Sequence, residues 1–486
     1  MRRAASELAR LATVLAAPLQ LTGAALQGAN QHVLFTSLPQ PWHRSTSYAH
    51  CRQLGFAAAT ALQQPQERLF TVQRPALPEL QHDVFHVSLV TGNLRGAGTR
   101  SPAVLKLIGT GGSTERVLVG SDELGQFDRG SIRRIDVAVP PGFGTLRRVH
   151  LEKHRDMQAT GDGWFLLHVE VEGPEGKTLF PCNAWFGESD SGGLGGPEER
   201  NLLPAVPELA DSCQPSPVSV TASGMSIPHP EKVIKQNTKG HNTRAFGYGG
   251  EDAYFVTQAS NGIFGMGVAD GVYMWREQGI DSGLMSRMLM NVCRQQVEAG
   301  SEDVFKMLNA AASQVKEEKL LGSATACILT INPLTGQLHS ANLGDSGFYV
   351  LSPADTGRDY KLRFRTNQME HKFGCPFQIG HHEAANKVED SDMASFFVRQ
   401  GDVIVMGSDG LLDNVSDVDL QQEVSLMLRE KHSSASMVQR LMKVAFEASM
   451  DRRRVTPYSQ GASEAFDMVF SGGKPDDITV MVALCS

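Results

Sequence analysis

No CxxC pair occurs in this 486-residue chain, and its seven cysteines (Cys51, Cys182, Cys213, Cys293, Cys327, Cys375 and Cys485) are scattered and odd in number. That argues against a thiolate zinc module and a secreted disulfide framework, and favours free thiols in a reducing compartment. Excess positive charge is missing too. The formal net charge is −8, which offers no basic stripe for a phosphate backbone, so nucleic acid is not an expected partner. No apolar run reaches the ~18 residues that a membrane-spanning helix needs. Acids are nearly absent through residue 66: Glu7 stands alone, without any lysine, against Arg2, Arg3, Arg10, Arg44 and Arg52. Leu8, Leu11, Leu15 and Leu19 recur at near-helical spacing, with Arg3 and Arg10 off that stripe. Organelle import receptors read such arginine-bearing, acid-poor amphipathic starts, so residues 1–66 are expected to be a transit segment for a chloroplast or mitochondrion. A secretory signal over the apolar stretch Leu11–Leu21, disfavoured by the free thiols, and an untargeted tail are the alternatives.

What is present is ordinary for a globular protein, 41% hydrophobic and 20% charged, in a length that suits two or three domains. Residues 80–190 hold short, often alternating apolar runs: HVSLV (86–90), AVLKLIG (103–109), RVLVG (116–120), IDVAV (135–139), RRVHLEK (147–153) and WFLLHVEVEG (164–173). Gly-rich turns separate them, which predicts an antiparallel β-sandwich. Residues 191–229, rich in Gly, Pro, Ser and Glu without a sustained period, read as a linker. From residue 230 to 486 strands alternate with helices, expected at 281–299, 302–319 (capped by Ser301), 417–430 (capped by Ser416) and 435–450. The stretch 325–352 reads as a meander of three strands, joined by the NPLTG and GDSG turns. This half is α+β, so the chain as a whole is multidomain.

Acidic residues in this half sit at strand ends. FGMGVADG puts Asp270 and Gly271 after an apolar strand, and VIVMGSDGLLDN does the same for Asp409, with Asp413 one turn on. GEDAYFV places Glu251 and Asp252 at a strand start, and KPDDITVMVAL places Asp476 and Asp477 at another. Carboxylates that converge in this way repel one another unless a hard dication lies between them. Mg²⁺ or Mn²⁺ takes oxygen ligands and keeps several waters, so few side chains suffice. Two such ions can activate a water and clamp a phosphoryl group. A lone Asp-Gly after a strand is more often a turn former.

VADGV, GSATACI, ANLGDSGF, VIVMGSDGLLDNV and GGKPDDITVMV, in that order, resemble the metal-dependent protein phosphatases of type 2C, in particular their SpoIIE-like organellar branch. The resemblance covers about residues 240–486. It implies two antiparallel sheets flanked by helices, activity on phosphoserine and phosphothreonine, and two Mg²⁺ or Mn²⁺ ions with a possible third. It implies direct attack of a metal-bridging hydroxide on phosphorus, in which Asp270, Asp409 and Asp476 would be catalytic. Carried over by position, Asp270 would bridge both ions, and Gly271 would offer its carbonyl to the first. Asp409 and Asp476 would complete the second, Glu251 and Asp252 would order metal-bound waters, and Asp345 would serve a weaker third site. Three departures stand out. Val272 replaces a frequent histidine, Tyr273 and Met274 interrupt the usual DGVGGW, and Gly247 stands where a phosphate-binding arginine is expected, leaving Arg244 as the substrate-binding candidate. These departures keep open a catalytically inactive scaffold that binds phosphoproteins or membranes.

VSLVTGNLRGAGTRS, FDRG (127–130), WFLLHVEV and FPCNAWF make residues 85–187 similar to a PLAT domain, which implies a lipid or protein partner and sometimes Ca²⁺. Asn93 and Arg100 replace acids usual there, which disfavours Ca²⁺. Trp164 and Trp185 are read as core residues. A phosphorylated protein is the expected substrate, and a monomer the expected state. If residues 1–66 are a transit segment, their fusion to a fluorescent reporter enters a chloroplast or mitochondrion in microscopy; diffuse cytosolic signal would refute the targeting role.

Overall fold

In the strand Val84–Thr91, Phe85, Val87 and Leu89 are buried while Val84 and His86 face water, the period of two expected of a half-buried strand. The computed structural model describes residues 83–486 apart from 121–126, 155–161, 188–195, 207–208, 210–214, 231, 233–247, 355–356 and 358. The expected transit segment over residues 1–66, Arg244 and Gly247 lie outside the described residues. Eight strands form the N-terminal sandwich: β1 (Val84–Thr91), β2 (Ala103–Gly109), β3 (Val117–Val119), β4 (Ile132–Ala138), β5 (Leu146–Lys153), β6 (Trp164–Gly173), β7 (Gly176–Phe186) and β8 (Glu199–Leu202). They make two four-stranded sheets, β4-β1-β6-β7 and β3-β2-β5-β8, whose facing side chains surround Trp164. The Trp164 indole is fully buried, donates from Nε1 to Thr91 Oγ1 at 3.1 Å and lies 4.5 Å from the Phe127 ring. It is core, as expected, whereas Trp185 is half-buried and edge-on to Phe165.

The expected linker 191–229 is corrected in two places. Glu199–Leu202 is β8 and pairs with β5; Val220–Ile227 is β9 and pairs along its whole length with the last strand of the chain. Both are edge strands of mixed polarity, so their composition resembles a loop. Neighbouring chain supplies their hydrogen bonds.

The second half continues with β10 (Tyr248–Gly249), β11 (Asp252–Gln258), β12 (Phe264–Ala269), β13 (Ser323–Ala324), β14 (Ala326–Asn332), β15 (Gln337–Leu343), β16 (Gly347–Pro353), β17 (Tyr360–Arg365), β18 (Glu370–Lys372), β19 (Cys375–Pro376), β20 (Ile379–Gly380), β21 (Asp392–Phe397), β22 (Val403–Gly407) and β23 (Ile478–Cys485). Its helices are α1 (Gly283–Glu298), α2 (Val304–Glu317), α3 (Asp409–Leu412), α4 (Asp417–Arg429), α5 (Ser434–Met450) and α6 (Pro457–Phe466). Two antiparallel sheets, β10-β11-β12-β14-β15-β21 and β17-β16-β22-β23-β9, face each other. Met266, Val268, Leu329, Phe348, Ile404, Met406 and Met481 fill the space between them. The outer faces are covered by α1 and α2 on one side and by α4 and α5 on the other. With both faces buried, alternation disappears and strands such as VIVMG read as continuous apolar runs. The α2 cap is Asp303, which accepts from the Lys306 N–H, rather than Ser301; Ser416 caps α4 as expected.

The three-strand meander is also corrected. β14 and β15 pair, but β16 pairs with β17 and β22 in the opposite sheet. The GDSG turn carries the chain across, with Gly344 at φ +118°, a region that glycine tolerates at least cost.

Sandwich and phosphatase-like half belong to one compact unit, Leu80–Ser486. Leu203, just past β8, joins the core under α1 and α2. Arg200 pairs with Glu302 at 2.6 Å, Asn201 Nδ2 donates to Asp303 at 2.9 Å, and the Arg148 guanidinium lies 3.2 Å from the Phe305 ring centre. Breaking a buried pair by removing one partner strands the other charge. Arg200→Met is therefore expected to cost about 3–5 kcal/mol in urea unfolding of the full chain, with much of the loss restored by the double replacement Arg200→Met/Glu302→Leu. A change within experimental error for the single variant would show the junction to be loose.

Candidate metal centre

Strand register brings the acids together. Ala253 faces Ala269 across β11 and β12, Val268 faces Cys327, and Ala326 faces Leu343. In the other sheet Gly347 faces Gly407, which faces Val480. The start of β11, the end of β12, the start of β14 and the end of β15 thus lie at one end. The end of β22 and the start of β23 meet in the facing sheet. Asp252, Asp270, Asp345, Asp409 and Asp476 occupy those termini. Their clustering is electrostatic as well as topological: the charges of Asp409, Asp252, Asp476 and Asp345 all act on Asp270.

Each carboxylate is aimed by its surroundings. Asp252 Oδ2 accepts from Ser408 Oγ and Thr479 Oγ1, both at 2.7 Å. Thr325 Oγ1 accepts the Asp270 backbone N–H at 3.0 Å, and the Thr325 N–H donates to the Asp270 carbonyl at 2.8 Å. Gly271 bridges to Ala324, and its N–H donates to the Glu251 carbonyl at 3.2 Å. Gly250 has φ +84°, and a Cβ there would collide with the Asp477 carboxylate; the turn before Glu251 therefore needs glycine.

Burial first, then neighbouring negative charge, pushes the Asp270 carboxyl well above the usual range, with Asp409 the largest neighbour. Asp252 and Asp345 are raised for the same two reasons, and so is Asp476. Burial opposes ionisation of Asp409, yet the Lys474 ammonium holds its carboxyl below the ordinary value.

Lys474 was not a site candidate on sequence grounds, although it stands two residues before Asp476 in KPDD. Its Nζ bonds Asp409, lies 2.9 Å from Asp413 and 3.3 Å from Asp476. A second ammonium, Lys232, bonds Glu251 and Asp477, and Arg276 also pairs with Glu251. Asp477 is a structural acid, since it accepts from Lys232 Nζ at 2.6 Å, the His229 N–H at 2.7 Å and the Glu251 N–H at 2.8 Å. Glu251 is thus tied to cations, while Asp252, Asp270, Asp345, Asp409 and Asp476 line the cluster.

The donor set fits hard divalent ions. Asp252 Oδ1, Asp345 Oδ1 and Asp409 Oδ1 are buried and accept no hydrogen bond among the described residues, a costly arrangement for anionic oxygen unless a cation meets it. All candidate side-chain ligands are carboxylates, the chemistry of Mg²⁺ and Mn²⁺. Another trio, His150, Glu152 and Glu199, sits on the sandwich, but Arg116 and Lys306 already pair with its acids. Val272 is half-buried and donates only its backbone N–H, to the Ser323 carbonyl at 2.9 Å.

Residues 276–483 match the family model of stage II sporulation protein E (SpoIIE), and residues 85–202 match the PLAT/LH2 domain. The chain is 34% identical over 248 residues to protein phosphatase PTC7 homolog of Homo sapiens, an alignment covering 48% of this chain and 79% of that protein. The chain belongs to the type 2C protein phosphatases. Against probable protein phosphatase 2C 26 of Arabidopsis thaliana the phosphatase is 34% identical over 321 residues, 59% of its own length and 97% of that relative's. A solved structure described as the photosystem II phosphatase PBCP is 29% identical, covers 55% of the phosphatase and 98% of that chain, and aligns with a TM-score of 0.46. The phosphatase is a protein serine/threonine phosphatase of a metal-dependent family, with a PLAT domain before the catalytic fold.

Burial pushes Asp413 up to about 6, against the pull of Lys474. A carboxyl raised above its ordinary value holds a proton in the fold that the unfolded chain has released. Its contribution to metal-free stability is therefore present at low pH and lost as pH rises through about 6. Over that same rise the cluster gains negative charge for a cation. Mn²⁺ affinity measured by titration calorimetry is expected to grow at least about tenfold between pH ~5 and ~7. Affinity that stays flat across that range would contradict the electrostatic account.

Proposed function

We propose that the phosphatase hydrolyses phosphoserine and phosphothreonine in proteins at the end of the double sheet where Asp252, Asp270, Asp345, Asp409 and Asp476 converge. The observation that carries this is the trio of buried carboxylate oxygens, on Asp252, Asp345 and Asp409, that have no hydrogen-bond donor among the described residues. Asp270, Asp409 and Asp476, with the Gly271 carbonyl, would hold two Mg²⁺ or Mn²⁺ ions; Asp252 and Glu251 would order their waters, and Asp345 would serve a third. When bound, such ions supply Lewis acidity to the phosphoryl oxygens and activate water for direct attack on phosphorus. The chain's own part is positional. Ser408 and Thr479 fix Asp252, Thr325 fixes the backbone at Asp270, and Lys474 spreads one positive charge over three acids. No cysteine serves as nucleophile in this reading: Cys293 and Cys182 are buried, with thiols pushed up to about 12.

The PLAT domain is read as a docking module for a lipid surface or protein, at which Ca²⁺ is not favoured. Asn93 Oδ1 is taken by Arg129 at 2.7 Å, and Asp162 faces Lys153 at 3.5 Å and accepts from Thr99 at 2.6 Å. Asn93 and Asp162 therefore already have partners within the domain. Among the described residues no helix is long and apolar enough to cross a membrane. Residues 1–66 carry the proposed organelle address.

Replacing Asp270 by Asn should reduce kcat/KM on a phosphoserine peptide by at least about 10³-fold, since it removes the carboxylate that both ions would share. EDTA should abolish turnover by the full chain, and Mn²⁺ should restore it. Full turnover in EDTA would overturn the metal-dependent reading.

A further inference from the structure

Two short segments next in sequence to the carboxylate cluster expose apolar side chains. On one side Tyr273 and Met274, 51% and 69% exposed, follow Asp270 by only three and four residues. On the other, Phe466, Met468, Val469 and Phe470 are 56%, 64%, 99% and 39% exposed and run through Ser471-Gly472-Gly473 into Lys474 and Asp476. An exposed apolar run of this kind is costly on a free surface unless something docks there. The second segment is built rather than loose. Asp467 adopts φ +50°, the Phe470 N–H donates to Ser463 Oγ at 2.9 Å, and Thr456 Oγ1 donates to the Gly472 carbonyl at 3.0 Å. Phe373, at the tip of the β18–β19 hairpin, braces it with its ring 5.8 Å from Phe466 and 5.6 Å from Tyr458. Tyr458 ties this platform to the centre, because its N–H donates to the Asp413 carbonyl at 3.0 Å and Lys474 Nζ lies 5.8 Å from its ring.

We infer that these two apolar rims form a docking surface for an extended phosphoprotein segment, carrying bulky apolar side chains on either side of its phosphorylated serine or threonine. The inference rests on the phosphatase reading of the carboxylate cluster. Val469 is seven residues from Asp476, so the platform lies within ~25 Å of it along the chain, at most the reach of about seven extended substrate residues. Exposed Glu464 and Asp467 stand among the apolar groups; they would be stranded in lipid but stay hydrated beside a bound peptide. Exposed Arg452, beside Gly472, and Arg453 offset those two acids, so the platform does not repel a phosphorylated segment.

The test uses the full chain with Mn²⁺ and pairs of fluorescent peptides bearing a non-hydrolysable phosphonate in place of phosphoserine. One twin has Leu and Phe flanking the phosphonate, the other Ser and Asn. Anisotropy should show the apolar twin binding about tenfold tighter, the worth of one or two buried apolar groups. Val469→Asp, Phe470→Ser and Met274→Asp should each erode that preference. Val469 is almost wholly exposed, so its replacement leaves the fold intact. Equal binding of the twins, or a preference that survives all three replacements, overturns the docking surface; so does a variant effect confined to oligomeric state or vesicle pelleting. Turnover of an aryl phosphate by the unaltered chain tests the phosphatase reading separately. An apolar preference without turnover would keep the docking surface and remove the catalytic role.

Discussion

Mutual repulsion among buried carboxylates governs this end of the molecule. Asp252, Asp270, Asp345, Asp409 and Asp476 are carried to one place by strands whose apolar residues leave them nowhere else to go. Burial and like charge together oppose the ionisation of Asp252, Asp270, Asp345 and Asp476, whereas Lys474 holds the Asp409 carboxyl below its ordinary value. Hydroxyls from Ser408 and Thr479 meet one oxygen of Asp252, and Lys474 answers Asp409, Asp413 and Asp476. Lys232 and Arg276 answer Glu251 on the adjoining turn. These donors orient the acids without satisfying all of them, and the oxygens left over are those suited to a hard cation.

The same constraint explains the placing of the less obvious parts. The GDSG turn must carry the chain from one sheet to the other, so Asp345 is delivered to the gap between the sheets rather than to a hairpin tip. α1 covers one sheet while its first turn reaches the centre, where Ser286 Oγ donates to the Glu251 carbonyl. α2 packs on α1 and meets the PLAT domain through Glu302, Asp303 and Phe305. Sandwich and catalytic fold therefore share a buried ion pair, Arg200–Glu302, and a core residue, Leu203, rather than a tether alone.

Much of this was legible before any coordinates. Strands such as AVLKLIG and WFLLHVEVEG fell within their observed bounds because alternation and flanking glycines mark them locally. The helix α4 was marked by its Ser416 cap, and α5 lies where a helix was expected over 435–450. Acids at strand ends were visible because a terminus is a local property. β8 and β9 were not legible, since an edge strand with one polar face has the composition of a loop and its partners lie far away in sequence. Lys474 escaped for a similar reason: a lysine before Pro-Asp-Asp looks solvated until the end of β22 is laid beside it.

Sequence by itself determined the two-part architecture, the family and the placing of acids at strand ends, because repeated local patterns and five ordered motifs encode them. Tertiary structure alone decided that β15 and β16 belong to opposite sheets, that α2 holds the sandwich, and that Lys474 sits among three carboxylates. Each of these depends on contacts between segments distant in the chain, and hydrogen-bond registry and Coulomb energy act through space, where linear order carries no information.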